Sequence, residues 1–362
     1  MGKGDWGLFM AKGNVTLKQI AEVAGVSTTT VHRVLNGKEG YGEELKEKIL
    51  GIARELGYSV NVSASSLRKK TSHIALVFPS GNCFSRFFMG HILDGYRRYQ
   101  QQMLPCNVQF HEFFYDYDDP ESMCPILKRI SLDDPVHFDG IALWGNTTSG
   151  KVVAMLNRLQ GKGVPVVMLE RSPADPDLYD CCVGPDDQLV GAMAGELLSK
   201  LTRPGGRVLI ITQDLGYPDP NGTACIRELA AQGRTDLEPV VLPLPMLNTI
   251  HTDAVKAALQ EDPDIAAVYS TCARHTLAYI CACRDLKVKP SAAVGSELFD
   301  ESIAALEDGT LSALVNKCPH TIGHQALRLL FDCVVKNERL PREYRVMPLI
   351  VLKANRFACQ DY

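Results

Sequence analysis

Residues 16–37, TLKQIAEVAGVSTTTVHRVLNG, leave little freedom in how the chain can begin its fold. Thr16 followed three positions later by Gln19 is a capping box, in which each residue satisfies an amide that the first helical turn leaves without a partner. Leu17, Ile20, Ala21 and Ala24 then recur at helical spacing, and Gly25 supplies the turn that ends the helix. Ser27 caps a second helix running to Leu35, with Asn36 and Gly37 as its stop, and Val26, Val31, Val34 and Leu35 on its inward side. A third helix is predicted over 43–56, burying Leu45, Ile49, Ile52, Ala53 and Leu56 before Gly57. Three short helices with a tight turn between the first two form a helix-turn-helix, whose second helix lies in the major groove of DNA. The outward face at the start of that helix is Thr28, Thr29, His32 and Arg33, side chains of the kind that reach base edges and phosphates.

From His73 onward the pattern changes. Short apolar runs at 74–78, 140–144, 164–169, 207–211, 265–269 and 291–294 alternate with helix-length patterns such as 188–201 and 276–286, the mark of parallel βαβ units. The chain of 362 residues is too long for one ordinary core, so a small module joined to a two-lobed, doubly wound body is expected. In such sheets ligands sit beyond the carboxyl ends of the strands. That rule selects Phe87, Phe88, Trp144, Asn146, Glu170, Arg171, Tyr217, Asp219, Asn221, Cys272 and Glu297, with Lys317 as a further cation.

Composition removes several classes. No stretch approaches the roughly 20 apolar residues that a membrane-spanning helix requires. The first 13 residues contain Trp6, Leu8 and Phe9, too short an apolar run for a secretory signal, and are expected to be a loose tail, with Met10 an alternative start. The 12 cysteines form no spacing framework, and Cys225, Cys281, Cys283 and Cys333 fall inside apolar segments, so reduced thiols of a cytoplasmic protein are expected. The formal charge of −4 is uneven: residues 1–70 carry 11 Lys and Arg against 7 Asp and Glu, and the remainder is acidic. A polyanion would therefore bind the amino-terminal module.

The run from Val15 to Gly37 resembles the signature of the lactose repressor/galactose repressor (LacI/GalR) family, and the resemblance continues through Leu56, Gly57, Tyr58, Asn61, Ala64 and Leu67. It implies DNA contacts from Thr16, Ser27, Thr28, Thr29, Thr30, His32, Arg33, Asn36, Tyr58 and Asn61. It also implies a hinge that folds in the minor groove, Ala64 meeting its dimer partner and Leu67 wedging between base steps. Val60 stands where the family usually has proline, and Val62 where an arginine is common. The body, through 138–141, 165–171, 294–295, 309–311 and 319–323, resembles the type I periplasmic-binding-protein fold of the same family. Domains are expected at 1–13 (tail), 14–59 (headpiece), 60–71 (hinge) and 72–362 (body). The body's first lobe is expected at about 72–170 and 318–346, and its second at about 171–317 and 347–362.

The resemblance implies a sugar-binding Arg171, but the pocket departs from the family. Asp219 and Asn221 occupy a loop that often holds an arginine, Cys272 stands where Asn or Asp is usual, and Ser296-Glu297 replaces Phe-Asp. A sugar or polyol, a sugar acid or an amino-bearing compound all suit Arg171 and Lys317 set against Glu170, Asp219 and Glu297, with carbohydrate favoured by the resemblance. His320 and His324 have metal-ligand spacing without a third ligand, and no phosphate loop or nucleophile–base pair can be argued, so neither a metal, a cofactor nor catalysis is expected. The expectation is a regulator, most simply a repressor. It would bind a palindromic operator as a homodimer or larger assembly, under control of a small-molecule effector. A free-standing solute-binding receptor is the alternative for the body alone.

Overall fold

The computed structural model describes residues 15–35, 40–56, 70–80, 85–116, 119–132, 135–144, 149–169, 176–245 and 249–359. The chain divides into two compact units, Met1–Arg68 and Lys69–Tyr362.

The first unit contains α1 (Leu17–Ala24), α2 (Thr28–Leu35) and α3 (Glu43–Glu55). The capping box forms as the sequence specifies: the Thr16 amide donates to Gln19 Oε1 at 2.7 Å and the Gln19 amide to Thr16 Oγ1 at 3.4 Å. Gly25 ends α1 at φ 72° and ψ 32°, the left-handed region where a Cβ is costly. Ile20, Ala21, Ala24, Val31, Val34, Ile49 and Ala53 make the core. Lys48 on α3 donates from Nζ to the Ala24 carbonyl at 3.1 Å, neutralising the carboxyl end of α1. Leu56 differs from expectation. It lies just past the last turn of α3 and is 36% exposed.

The second unit is built on two six-stranded sheets. The first sheet contains β1 (Ser72–Pro79), β2 (Val108–Tyr115), β3 (Gly140–Trp144), β4 (Val166–Leu169), β5 (Cys181–Pro185) and β11 (Glu343–Val346), in the order β11-β5-β4-β3-β1-β2. All its pairings are parallel. The second sheet contains β6 (Arg207–Gln213), β7 (Glu238–Leu244), β8 (Ile265–Ser270), β9 (Ala292–Ser296), β10 (Ala313–Asn316) and β12 (Leu349–Val351), in the order β12-β10-β9-β8-β6-β7. It is parallel except for β12, which runs antiparallel to β10. Each sheet defines a lobe, and the chain passes between lobes three times.

The first passage corrects an expected boundary. The second lobe does not start near residue 171, because Cys181–Pro185 pairs with β4 in the register Val167↔Cys181 and Met168↔Cys182. The crossing falls at Asp186, where that residue caps the helix that opens the second lobe. The strands at 108–115, 181–185, 238–244, 313–316, 343–346 and 349–351 lie outside the six apolar runs from which strands are predicted. Several are edge strands or four residues or fewer, so the sheet partner rather than the local pattern defines them.

Helices cover both sheets. The first lobe has α4 (Gly90–Met103), α5 (Met123–Ser131) and α6 (Gly150–Gly161). The second has α7 (Asp187–Leu201), α8 (Pro220–Ala231), α9 (Thr252–Glu261), α10 (Ala273–Leu286) and α11 (Asp300–Asp308). A long α12 (Pro319–Lys336) returns from β10 to pack on α4. The parallel strands are buried on both faces, as β1 and β3 show, which is why they read as continuous apolar runs.

Candidate DNA-reading face and interlobe site

In the headpiece, the residues expected to meet DNA divide into two groups. Thr16 is committed to the cap of α1. Ser27 accepts the Thr30 amide at 3.1 Å, and the two hydroxyls lie 2.9 Å apart, so this pair fixes the start of α2. Thr28, Thr29, His32 and Arg33 are exposed on the outward side. The Arg33 guanidinium lies 5.6 Å from the centre of the Tyr41 ring, a contact that helps to orient this long side chain. Donors and acceptors are thus presented from the amino end of a capped helix, while Val31 and Val34 anchor the opposite side. Asn36, Tyr58, Asn61, Ala64 and Leu67 lie outside the described residues.

In the body, the carboxyl ends of the strands bring together much of the expected set. Lys317, at the end of β10, is 7% exposed, and its ammonium donates to the Thr271 carbonyl at 2.9 Å and lies 3.5 Å from Glu297 Oε1. The Lys317 amide donates to the other oxygen of Glu297 at 3.3 Å. The ammonium also sits 5.9 Å from the centre of the Phe88 ring, and Phe88 meets Trp144 edge to face at 5.9 Å. Tyr115 fixes the end of β3 by donating its hydroxyl to the Trp144 carbonyl at 2.9 Å. Phe87 crosses the cleft to meet Phe299 at 5.0 Å and packs with Ala273 and Leu277 of α10.

Two residues at this junction are in costly states. Glu297 is 2% exposed and sits at φ 68°, a left-handed conformation that disfavours any side chain with a Cβ. Burial pushes its carboxyl up to about 7, with the Lys317 ammonium pulling the other way. Cys318, beside Lys317, is left-handed as well, at φ 56°. The surroundings hold both in place: Ser302 donates to the Glu297 carbonyl at 3.1 Å, and the Cys318 amide donates to Asn316 Oδ1 at 3.2 Å.

Asp219, Asn221 and Tyr217 are used differently from the expectation. Asp219 is the cap of α8, one carboxylate oxygen accepting the Asn221 and Gly222 amides and the other the Gln213 amide and the Thr271 hydroxyl. It therefore holds Thr271, which in turn receives Lys317. Asn221 is 1% exposed and its amide nitrogen reaches the Asp187 carbonyl and carboxylate, each at 3.0 Å, so it joins α8 to α7. Tyr217 is 58% exposed beside the edge strand β7, lining a depression with Thr212, Val241 and Pro243. Asn146, Glu170 and Arg171 lie outside the described residues.

A cavity of about 320 Å³ opens between the lobes, lined by Phe87 and His91 from the first and by Phe299, Glu301, Asn316 and Cys359 among others from the rest of the body. Only Phe87 of these was selected in advance. Phe299, Thr271 and His275 were not in the expected set: position along the chain puts them near strand ends, but only the sheet order shows which neighbours of Cys272 and Glu297 meet there.

Comparison with known proteins agrees with both halves. Residues 16–61 match the family described as "Bacterial regulatory proteins, lacI family", and residues 136–338 match "Periplasmic binding protein domain". The "Probable HTH-type transcriptional repressor ExuR" of Bacillus subtilis is 32% identical over 163 residues, 44% of each chain. The sucrose operon repressor of Klebsiella pneumoniae is 29% identical over 205 residues, 55% of this chain and 57% of that one. These alignments span about half the length of the relatives. Among solved structures, a periplasmic ribose ABC transporter from Conexibacter woesei superposes with a TM-score of 0.68 at 18% identity, over 81% of this chain and 95% of its own. GanP, a glucose-galactose binding protein from Geobacillus stearothermophilus, gives 0.64 at 20% identity over 79% and 99%. The lacI-family match falls on the helix-turn-helix unit, and the periplasmic-binding-protein match falls on the two-sheet body. The chain belongs to the periplasmic-binding-protein domain family and carries an amino-terminal lacI-family helix-turn-helix domain.

Proposed function

We propose that this protein is a ligand-responsive, sequence-specific DNA-binding transcriptional repressor, working in the cytoplasm and not as an enzyme. The observation that carries this reading is the amino end of α2. A helix fixed by Ser27 and Thr30 presents Thr28, Thr29, His32 and Arg33 outward, on the unit that carries the excess positive charge. One such helix reads only a few base pairs, so useful specificity needs two copies on a two-fold site, and a homodimer follows. The hinge, with Ala64 and Leu67, would join the two copies in the minor groove.

The controlling ligand is a sugar or sugar derivative held where the strand ends of the two lobes meet. Relatives named as sucrose, ribitol and ribose operon repressors favour this class. Aromatic rings at Phe87, Phe88, Trp144 and Phe299, with Lys317 and Glu297 beside them, are chemically suited to a polyhydroxylated ring. Ligand that prefers one lobe orientation would shift the protein toward it and so change operator affinity.

Gel-shift titration of the full-length protein against duplex DNA from its own upstream region tests the first part. Specific retention of a palindromic site is expected, and retention that is the same for every sequence would overturn the reading. Thermal denaturation with sugars, polyols, sugar acids and amines tests the second. A ligand that binds only the folded state raises the unfolding temperature, by about 2.7 kcal/mol of stabilisation at 100 times Kd.

A further inference from the structure

Cys272 caps the amino end of the 14-residue α10 in extended geometry, φ −147° and ψ 165°, at the mouth formed by β8 and β9. It is 8% exposed. One helical turn on stands His275, 3% exposed, whose Nδ1 makes no hydrogen bond, and opposite stands Glu297, whose Oε1 makes none either. The charged groups around the sulfur are Arg274 and His275 on its own helix and Glu297 on the loop after β9, itself paired with Lys317.

We propose that Cys272 is a thiol that reacts with hydrogen peroxide, with His275 as its proton partner and Glu297 as a nearby proton donor. The Cys272 proton passes to His275. The thiolate then attacks one oxygen of the peroxide, an S–O bond forms, and the O–O bond breaks. The departing hydroxide takes a proton from the His275 imidazolium or the Glu297 carboxyl and leaves as water. Sulfur loses two electrons to become a sulfenic acid, and the peroxide gains them.

The thiol's acidity agrees with this geometry. Burial opposes ionisation, but the charges of His275 and Arg274 outweigh it and lower the group to about 6. Other described cysteines move the opposite way: burial pushes Cys181 and Cys318 each up to about 12 and raises Cys225, Cys283 and Cys333. An added oxygen on Cys272 would lie beside the Glu297–Lys317 pair, so oxidation would perturb the interlobe site. That consequence rests on the ligand reading above, whereas the chemistry itself does not.

The test uses reduced full-length protein treated with one equivalent of hydrogen peroxide in the presence of dimedone, then digested and mapped. Labelling at Cys272 is expected to exceed that at Cys281, a half-buried thiol on the same helix, by about ten-fold or more, and equal labelling overturns the proposal. Between about pH 7 and pH 9 the rate at Cys272 should rise less than about three-fold, whereas a thiol of ordinary acidity gains roughly 20-fold. A steep rise at Cys272 overturns the proposal even if a His275→Asn variant fails to fold. If that variant folds, it should restore the steep rise. The assay uses neither DNA nor effector, so its failure is separate from failure of the regulatory reading.

Discussion

Glu297 shows at the residue scale how a buried carboxyl can make stability depend on pH. Its carboxyl titrates near 7 in the fold against an ordinary 4.5, so between those values the folded state holds a proton that the unfolded chain has released. Stability from this group is complete below about pH 4.5 and is lost as pH rises through about 7, a total on the order of 3 kcal/mol. Denaturant titrations at pH 5 and pH 8 should show the wild type losing stability over that interval and Glu297→Gln losing less, and equal losses would contradict the assignment. Thr16 is the contrasting case, a polar residue whose described hydrogen bonds are local to the cap. Thr16→Ala should cost roughly 1 kcal/mol through loss of the cap, read as faster amide exchange in α1 with the body unaffected. Thr16, Ser27 and Gly25 were legible because their neighbours in sequence are their partners in space. Asp219 was read as a ligand contact because nothing local shows that the Gln213, Asn221 and Gly222 amides and the Thr271 hydroxyl use both of its oxygens.

At the scale of elements, each lobe is held by a helix pair that glycine allows to approach closely. A Cβ at Gly95 of α4 would come 2.0 Å from the His320 carbonyl oxygen of α12, and one at Gly323 of α12 would come 2.0 Å from the Ile92 oxygen. In the second lobe, Gly191 of α7 similarly faces the Asn221 oxygen of α8 at 2.2 Å. The obstructing atoms are backbone, so the helices themselves must separate. Gly323→Ala should destabilise the first lobe by roughly 3 kcal/mol, at the upper end of overpacking costs, seen as a lower urea midpoint. A shift below about 0.5 kcal/mol would mean that the pair is looser than its geometry shows. Periodicity marked α7 and α10 in the sequence but not which helix each one touches. The partner of α4 is more than 200 positions away along the chain, and no local pattern encodes that pairing.

For the whole molecule, the uneven charge makes a prediction about binding. The amino-terminal unit is basic and the rest acidic, so phosphate contacts should come from the headpiece and hinge, with the body repelling DNA. Operator affinity should fall by ten-fold or more between about 50 and 200 mM salt, and an affinity independent of salt would rule out backbone contacts of this kind. By itself the sequence determined the three headpiece helices, the face α2 turns outward and the alternating body, because caps, turns and apolar periodicity act over a few residues. It also marked Glu297 and Cys272 as ends of strands and Lys317 as a further cation. Only the tertiary structure decided that Cys181–Pro185 completes the first lobe, that Asn221 faces α7, and that Lys317 reaches Glu297 and Thr271. Those outcomes depend on the order of strands in each sheet and on three passages between lobes, which bring together residues dozens of positions apart. A buried ion pair or an orphaned histidine exists only once that order has removed the water around it.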